Sequence, residues 1–445
     1  MSTSAPKRAT RPRGVSRRNF LRGITAAGAG GLVIGGGGGY LLNPGGDSSP
    51  IESGRTGEPL KIGLVAPVTG PYSGDGQEMS RGARLAVKDV NAAGGVLGRP
   101  LELVTADVSD LSPENYVRAA QRLTGQEQVA AVFCGYCSND STEFRTYADS
   151  GLPMFHFNTL QANVDYVQEH DIPNIYEGCP TEIWYGRGFV PLMQDWISTG
   201  RWTPSSKTVA IVTSNDSYSI SIANALRKDI TKIGWQVTTF EQVTAPTADW
   251  GPVLSKIRSR PPGLVFVTDY IAGDLASFAK QFATAPTPSL LYQQYGPSIP
   301  EYIQLAGDAA NGVIWSTTIG TLPDPTGKRF LQRYKSTYKA EAGLSQAGGQ
   351  FDIIRMWAEV ASRAADPYDF DKVNALLKKA TFRGVNGTYT FEPGELVVPP
   401  YPDKVLDPSL AMPHLTYQIQ DLEQVPISPA PYASGKLRLP PWLRG

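Results

Sequence analysis

From residue 60 onward, apolar residues fall in short runs separated by polar stretches rich in glycine and proline. Leu60-Lys61-Ile62-Gly63-Leu64-Val65-Ala66 is an apolar run of strand length. The following segment, 79–92, places Ala83, Ala86, Val87 and Val90 three and four residues apart, the period of one helix face. The same order recurs, with strands predicted over 101–106, 129–134 and 152–157 and helices over 115–123 and 140–150. Parallel strands need crossover connections, so alternating strands and helices at this spacing predict a doubly wound parallel sheet.

A second run begins near Ile183. It predicts helices over 183–196, 220–233, 250–259 and 274–283, interleaved with strands over 208–213, 236–240 and 263–268. Segments 312–318 and 328–340 read as a crossing back to the first half, which helices over 349–364 and 371–379 complete. The predicted class is α/β, with two doubly wound parallel-sheet lobes joined by crossing strands. Lobe 1 takes 60–178 and 313–384, lobe 2 takes 179–312 and 385–425, and 426–445 form a tail. The halves match in element order, without a residue-level repeat.

Length agrees with two cores, since single cores stop growing in the low hundreds of residues and the chain has 445. Charge separates the ends. Lys7, Arg8, Arg11, Arg13, Arg17, Arg18 and Arg22 all precede the first acid, Asp47. Taking those seven from 41 basic residues leaves 34 against 41 acidic ones, a balance of −7. A mildly acidic body argues against a nucleic-acid partner.

Ser16-Arg17-Arg18-Asn19-Phe20-Leu21, followed by an apolar Gly/Ala-rich stretch over 23–42, resembles a twin-arginine export signal. The signal is read over 1–45 and a Gly/Ser/Pro-rich linker over 46–59. So many glycines make a poor membrane helix, so export to the periplasm or cell envelope is expected rather than a permanent anchor.

From Leu60 on, the chain resembles the type I periplasmic binding proteins of the branched-chain amino acid, amide and urea group. The resemblance rests on Ile62-Gly63-Leu64-Val65-Ala66-Pro67-Val68-Thr69-Gly70-Pro71-Tyr72, on Gly82-Ala83-Arg84-Leu85-Ala86, and on Asp89-Val90-Asn91-Ala92-Ala93-Gly94-Gly95-Val96-Leu97-Gly98-Arg99-Pro100. Segments 249–257 and 306–312 and the closing Pro440-Pro441-Trp442 add to it. It implies an extracytoplasmic receptor that closes two lobes on a small polar solute, such as an amide, a urea or an aliphatic amino acid. It also implies ABC permease and ATPase partners, with no cofactor, no metal and no catalysis.

In this fold the ligand meets loops at the carboxyl ends of the strands. On lobe 1 these loops carry Tyr72 and Asp75, then Ser138 and Asn139, then Asn158 and Thr159. The resemblance puts Ser138 where amino-acid receptors hold the ligand carboxylate, although Ser138 could equally cap the following helix. On lobe 2 the candidates are Tyr218, Asp269, Tyr270 and Tyr295. Tyr218 matches a family tyrosine that covers the ligand, or it simply packs. Tyr295 stands where amino-acid binders carry an acid for the ammonium group. That departure favours a neutral ligand unless Asp216, Asp269 or Glu182 supplies the acid.

Two rival readings remain from the sequence, a ligand sensor without transport and a Cys137/His156 hydrolase. The second lacks a nucleophile elbow or metal-ligand spacing. Cys134, Cys137 and Cys179 are the only cysteines. Export permits a disulfide, expected between Cys137 and Cys179 near the lobe crossing, with Cys134 left as a buried thiol.

Overall fold

The computed structural model describes residues 57–444. The export signal read over 1–45, and the linker up to residue 56, lie outside the described residues. The first sheet holds β1 (Leu60–Ala66), β2 (Leu101–Asp107), β3 (Val132–Cys134), β4 (Met154–His156) and β5 (Ile175–Glu177). All are parallel, in the order β2-β1-β3-β4-β5. β1 is almost continuously apolar because both its faces are covered, and Ile62 and Leu64 are fully buried. Its helices are α1 (Ser73–Ala92), α2 (Pro113–Gln121), α3 (Phe144–Ser150) and α4 (Gln161–Glu169).

α1 turns Ala83, Ala86 and Val90 into the core, as its spacing predicts. After it the chain reverses through Gly94 (φ 103°) and Gly95 (φ 76°), a region that disfavours side chains. A Cβ on Gly95 would strike the Arg99 carbonyl. Val96 and Arg99 exchange backbone hydrogen bonds of 2.9 and 3.0 Å and so close the turn before β2. The Asn-Ala-Ala-Gly-Gly string therefore encodes a turn and carries no ligand chemistry.

After α5 (Ile183–Ser198), the second sheet gathers β6 (Thr208–Ser214), β7 (Gln236–Val243), β8 (Leu264–Thr268), β9 (Leu290–Gln293) and β10 (Ile314–Thr317). It is flanked by α6 (Ser217–Lys232), α7 (Gly251–Ser259), α8 (Ala272–Ala283) and α9 (Pro300–Ala306). The chain then returns to the first lobe with α10 (Pro325–Tyr338), α11 (Gln346–Ala364) and α12 (Phe370–Leu377), which contribute Tyr334, Trp357 and Leu377 in turn to its core. Two short pairs follow, β11 (Phe382–Arg383) with β12 (Thr388–Tyr389) and β13 (Pro400–Tyr401) with β14 (Met412–Pro413). The hairpin of β15 (Leu415–Gln420) and β16 (Glu423–Ser428) completes the second sheet, in the order β16-β15-β10-β9-β8-β6-β7.

The lobe boundaries differ from the sequence reading in three ways. Residues 313–317 belong to the second lobe, because β10 lies between β9 and β15 in its sheet. The segment 385–413 belongs to the first lobe. Val385, Tyr389, Phe391, Val398 and Met412 are buried in its core, and the Glu177 N–H donates to Leu396 O at 2.9 Å along the β5 edge. The tail beyond 425 is part of the second lobe. β16 extends its sheet, and Trp442 Nε1 donates to Ser289 O at 2.9 Å.

The three lobe crossings lie together. Thr318 Oγ1 donates to Pro180 O at 3.1 Å, and His414 Nε2 lies 3.0 Å from Ser316 Oγ.

Candidate ligand site between the lobes

The strand ends of both sheets face a shared cavity of about 290 Å³, at the small end of ligand pockets. From lobe 1 its wall takes Tyr72, Tyr136, Asn139, Asn158 and Thr159, and from lobe 2 Asp216, Tyr218, Tyr270 and Tyr295. Tyr185 and Ile319, next to the crossings, line it too, as does Gln346 at the start of α11.

The rings form a connected wall. Tyr72 stacks on Tyr270 across the cleft, with centroids 6.0 Å apart and planes at 23°. Tyr218 meets Tyr270 edge-on at 5.9 Å and Tyr185 at 6.3 Å. Most hydroxyls are engaged within the protein. Tyr185 Oη lies 3.1 Å from Thr318 Oγ1, and Tyr218 Oη accepts from Gln294 Nε2 at 3.2 Å.

Of the residues singled out from the sequence, Tyr72, Asn139, Asn158, Thr159, Tyr218, Tyr270 and Tyr295 meet at the cavity. Ser138, Asp75 and Asp269 do not line it. Ser138 is 2% exposed and is held by Glu143, whose carboxylate accepts from both its N–H, at 3.0 Å, and its hydroxyl. Its Oγ accepts in turn from the Thr142 N–H at 3.1 Å. This internal bonding postpones α3 to Phe144, against the helix start expected near Asp140.

Asp75 lies behind the wall, accepting from the hydroxyls of Tyr136 and, at 3.1 Å, Tyr295. Burial pushes its carboxyl up to about 6, and the two tyrosine hydrogen bonds partly oppose this. Asp269 Oδ1 accepts from the Ile271 N–H at 2.9 Å, and burial pushes its carboxyl up to about 7. Glu182 is likewise pushed up to about 7 by burial, and it accepts from the Gln161 N–H at 2.7 Å.

Of the acids proposed to stand in at the Tyr295 position, Asp216 alone lines the cavity. Its Oδ1 caps α6 by accepting from the Ser219 N–H at 2.9 Å, and its buried Oδ2 has no protein partner. Gln346 was missed from the sequence. It is 2% exposed, and both amide atoms lack protein partners although the residue lines the cavity. Nothing in its local pattern sets it apart, because its position follows from how α11 returns to the first lobe.

The family model described as periplasmic binding protein matches residues 59–395. The chain belongs to this family. A Pseudomonas aeruginosa relative named as a leucine-, isoleucine-, valine-, threonine- and alanine-binding protein is 26% identical, over 76% of this chain and 87% of its own length. A solved structure from Silicibacter pomeroyi, described as a candidate branched-chain amino acid ABC transporter, is 35% identical with a TM-score of 0.80. It covers 86% of this chain and 100% of that one. A Streptococcus pneumoniae substrate-binding protein solved with isoleucine shares the fold, with a TM-score of 0.68 at 20% identity over 83% and 99% of the two chains.

The chain is thus a solute-binding protein of two α/β lobes, in which Cys134 is the buried thiol expected from the sequence while Cys137 and Cys179 are not bonded to each other. All three are buried and free, so the expected Cys137–Cys179 disulfide is absent from the structure. Cys179 Sγ donates to Glu177 Oε1 at 2.9 Å, and Cys134 Sγ to the Tyr136 carbonyl. The Cys137 thiol is pushed well up by burial and by its contact with Cys134, the opposite of an activated nucleophile. His156 Nδ1 faces Glu177 Oε2 at 3.0 Å as a buried pair, off the hydrogen-bonding direction.

Proposed function

We propose that this solute-binding protein is the extracytoplasmic receptor of an ABC importer. It takes a small nitrogen-bearing solute between its lobes and presents it to permease and ATPase subunits. The observation that carries this reading is the cavity itself, walled by strand-end residues of both lobes. A solute touching Tyr72 and Tyr218 at once would favour the closed form by its differential affinity. The relatives' names bring aliphatic amino acids to the list of solutes, and the resemblance adds amides and ureas.

Export by the twin-arginine route belongs to the same reading, on Arg17-Arg18. Lys at both positions should hold the protein in the cytoplasm, since the guanidinium pair is what the route reads. Unaltered export would count against that route.

The function is tested by a thermal-shift screen of amino acids, amides, ureas and amines. Uptake of the radiolabelled hit is then measured in cells with and without the gene. Loss of uptake on deletion is expected, whereas uptake unchanged by deletion would contradict an importer role.

A further inference from the structure

Beside the lobe 1 wall, part of an anion-site-like set of donors is already taken. Three backbone N–H groups follow its strand ends, and each is occupied by a glutamate of the chain. Ser138 N–H bonds Glu143, Thr159 N–H bonds Glu177 at 3.3 Å, and Gln161 N–H bonds Glu182 at 2.7 Å. The position that the resemblance assigns to a ligand carboxylate is therefore filled by a carboxylate of the protein.

No Lys, Arg or His lines the cavity among the described residues, whereas Asp110 and Asp216 do. A free carboxylate placed there would lose its hydration without gaining a cation, a costly exchange. The lobe 2 corner offers the reverse. Asp216 Oδ2 lacks a protein partner, and Tyr218 and Tyr270 belong to the same wall. A carboxylate beside tyrosine rings is a setting for an organic cation. Gln346, with a free amide oxygen and nitrogen in the wall, can take a further N–H or hydroxyl of the same solute.

We propose that the cavity selects a small organic amine, bound as its cation and carrying no carboxylate, with the ammonium at Asp216 and the apolar body among the tyrosines. This narrows the solute class and rests on the reading that the interlobe cavity is the ligand site. It sets the amine apart from its parent amino acid, because the missing carboxylate is the group for which the wall has no cation among the described residues.

The test is calorimetry on the purified protein with two matched sets of probes. One set is 3-methylbutylamine, leucine and 3-methylbutanoate, and the other is phenethylamine, phenylalanine and 3-phenylpropanoate. In at least one set the amine should bind about tenfold or more tightly than its amino acid and its acid. Asp216→Asn keeps an oxygen to cap α6, so it should leave the melting temperature of the empty protein nearly unchanged while weakening the amine about tenfold or more. An amino acid or acid that binds more tightly than its amine in both sets overturns the proposal. So does the absence of binding by both amines up to about 1 mM.

Leu111 also lines the cavity, and Leu111→Trp, which would fill part of it, separates the two levels of failure. A carboxylate-bearing probe lost in that variant would show the site to be right and the charge class wrong. A probe whose binding ignores it would show the cavity not to be the site.

Discussion

Tyr295 Oη, from the second lobe, donates to Asp75 Oδ1 of the first across a distance of 3.1 Å. Tyr136 donates to the other oxygen of the same carboxyl. Tyr295 sits at φ 58°, where a bulky residue is uncommon. Tyr295 thus spans the cleft and bonds an acid of the opposite lobe. Tyr295→Phe removes one such bond from the closed form. Solute affinity should fall by about 1–2 kcal/mol, as for a lost buried hydrogen bond. Calorimetry would show this, and unchanged affinity would mean that the Asp75–Tyr295 contact does not contribute to closure.

The same carboxyl makes closure depend on pH. Asp75 is pushed up to about 6 in the closed form, and opening the cleft would hydrate it and return it toward the ordinary carboxylate range. Closure then takes up a proton. Its advantage is fully present below the ordinary carboxylate value and is lost as pH rises through about 6. Affinity should therefore increase between about pH 7.5 and pH 5 in the wild type, and this rise should be reduced in Asp75→Asn. An equal slope in both proteins would assign the effect elsewhere.

Ser138→Ala should act on stability rather than on binding. Glu143 is 1% exposed and would lose a hydroxyl donor, at a cost of about 1–3 kcal/mol. Denaturant unfolding should show that loss, while solute affinity stays within about twofold. A large loss of affinity with normal stability would return Ser138 to the ligand.

Thiol counting on the unfolded, unreduced protein should find Cys134, Cys137 and Cys179 all reactive, as three buried free thiols require. A single reactive thiol would point to a disulfide formed after export.

The fold was legible where periodicity and turn chemistry agree, as in β1, α1 and the Gly94-Gly95 reversal. The lobe boundaries were less so. A four-residue apolar strand such as Ile314–Thr317 reads the same in either sheet, and only its pairing with β9 and β15 assigns it. The site followed a similar division. Strand-end loops brought Tyr72, Asn158, Tyr218 and Tyr270 to the cavity, because topology puts such loops at one edge. Ser138 was left open between ligand and cap because its partner Glu143 lies in the same loop, and sequence alone does not tell an internal carboxylate from a ligand's. Gln346 lies far along the chain on a returning helix, with no local signal.

The most direct measurement is a crystal structure of the protein with the solute found by screening. The account predicts density between the lobes, in contact with Tyr72 of one and with Asp216 or Tyr218 of the other. Solute bound to one lobe alone, or outside this cavity, would contradict it.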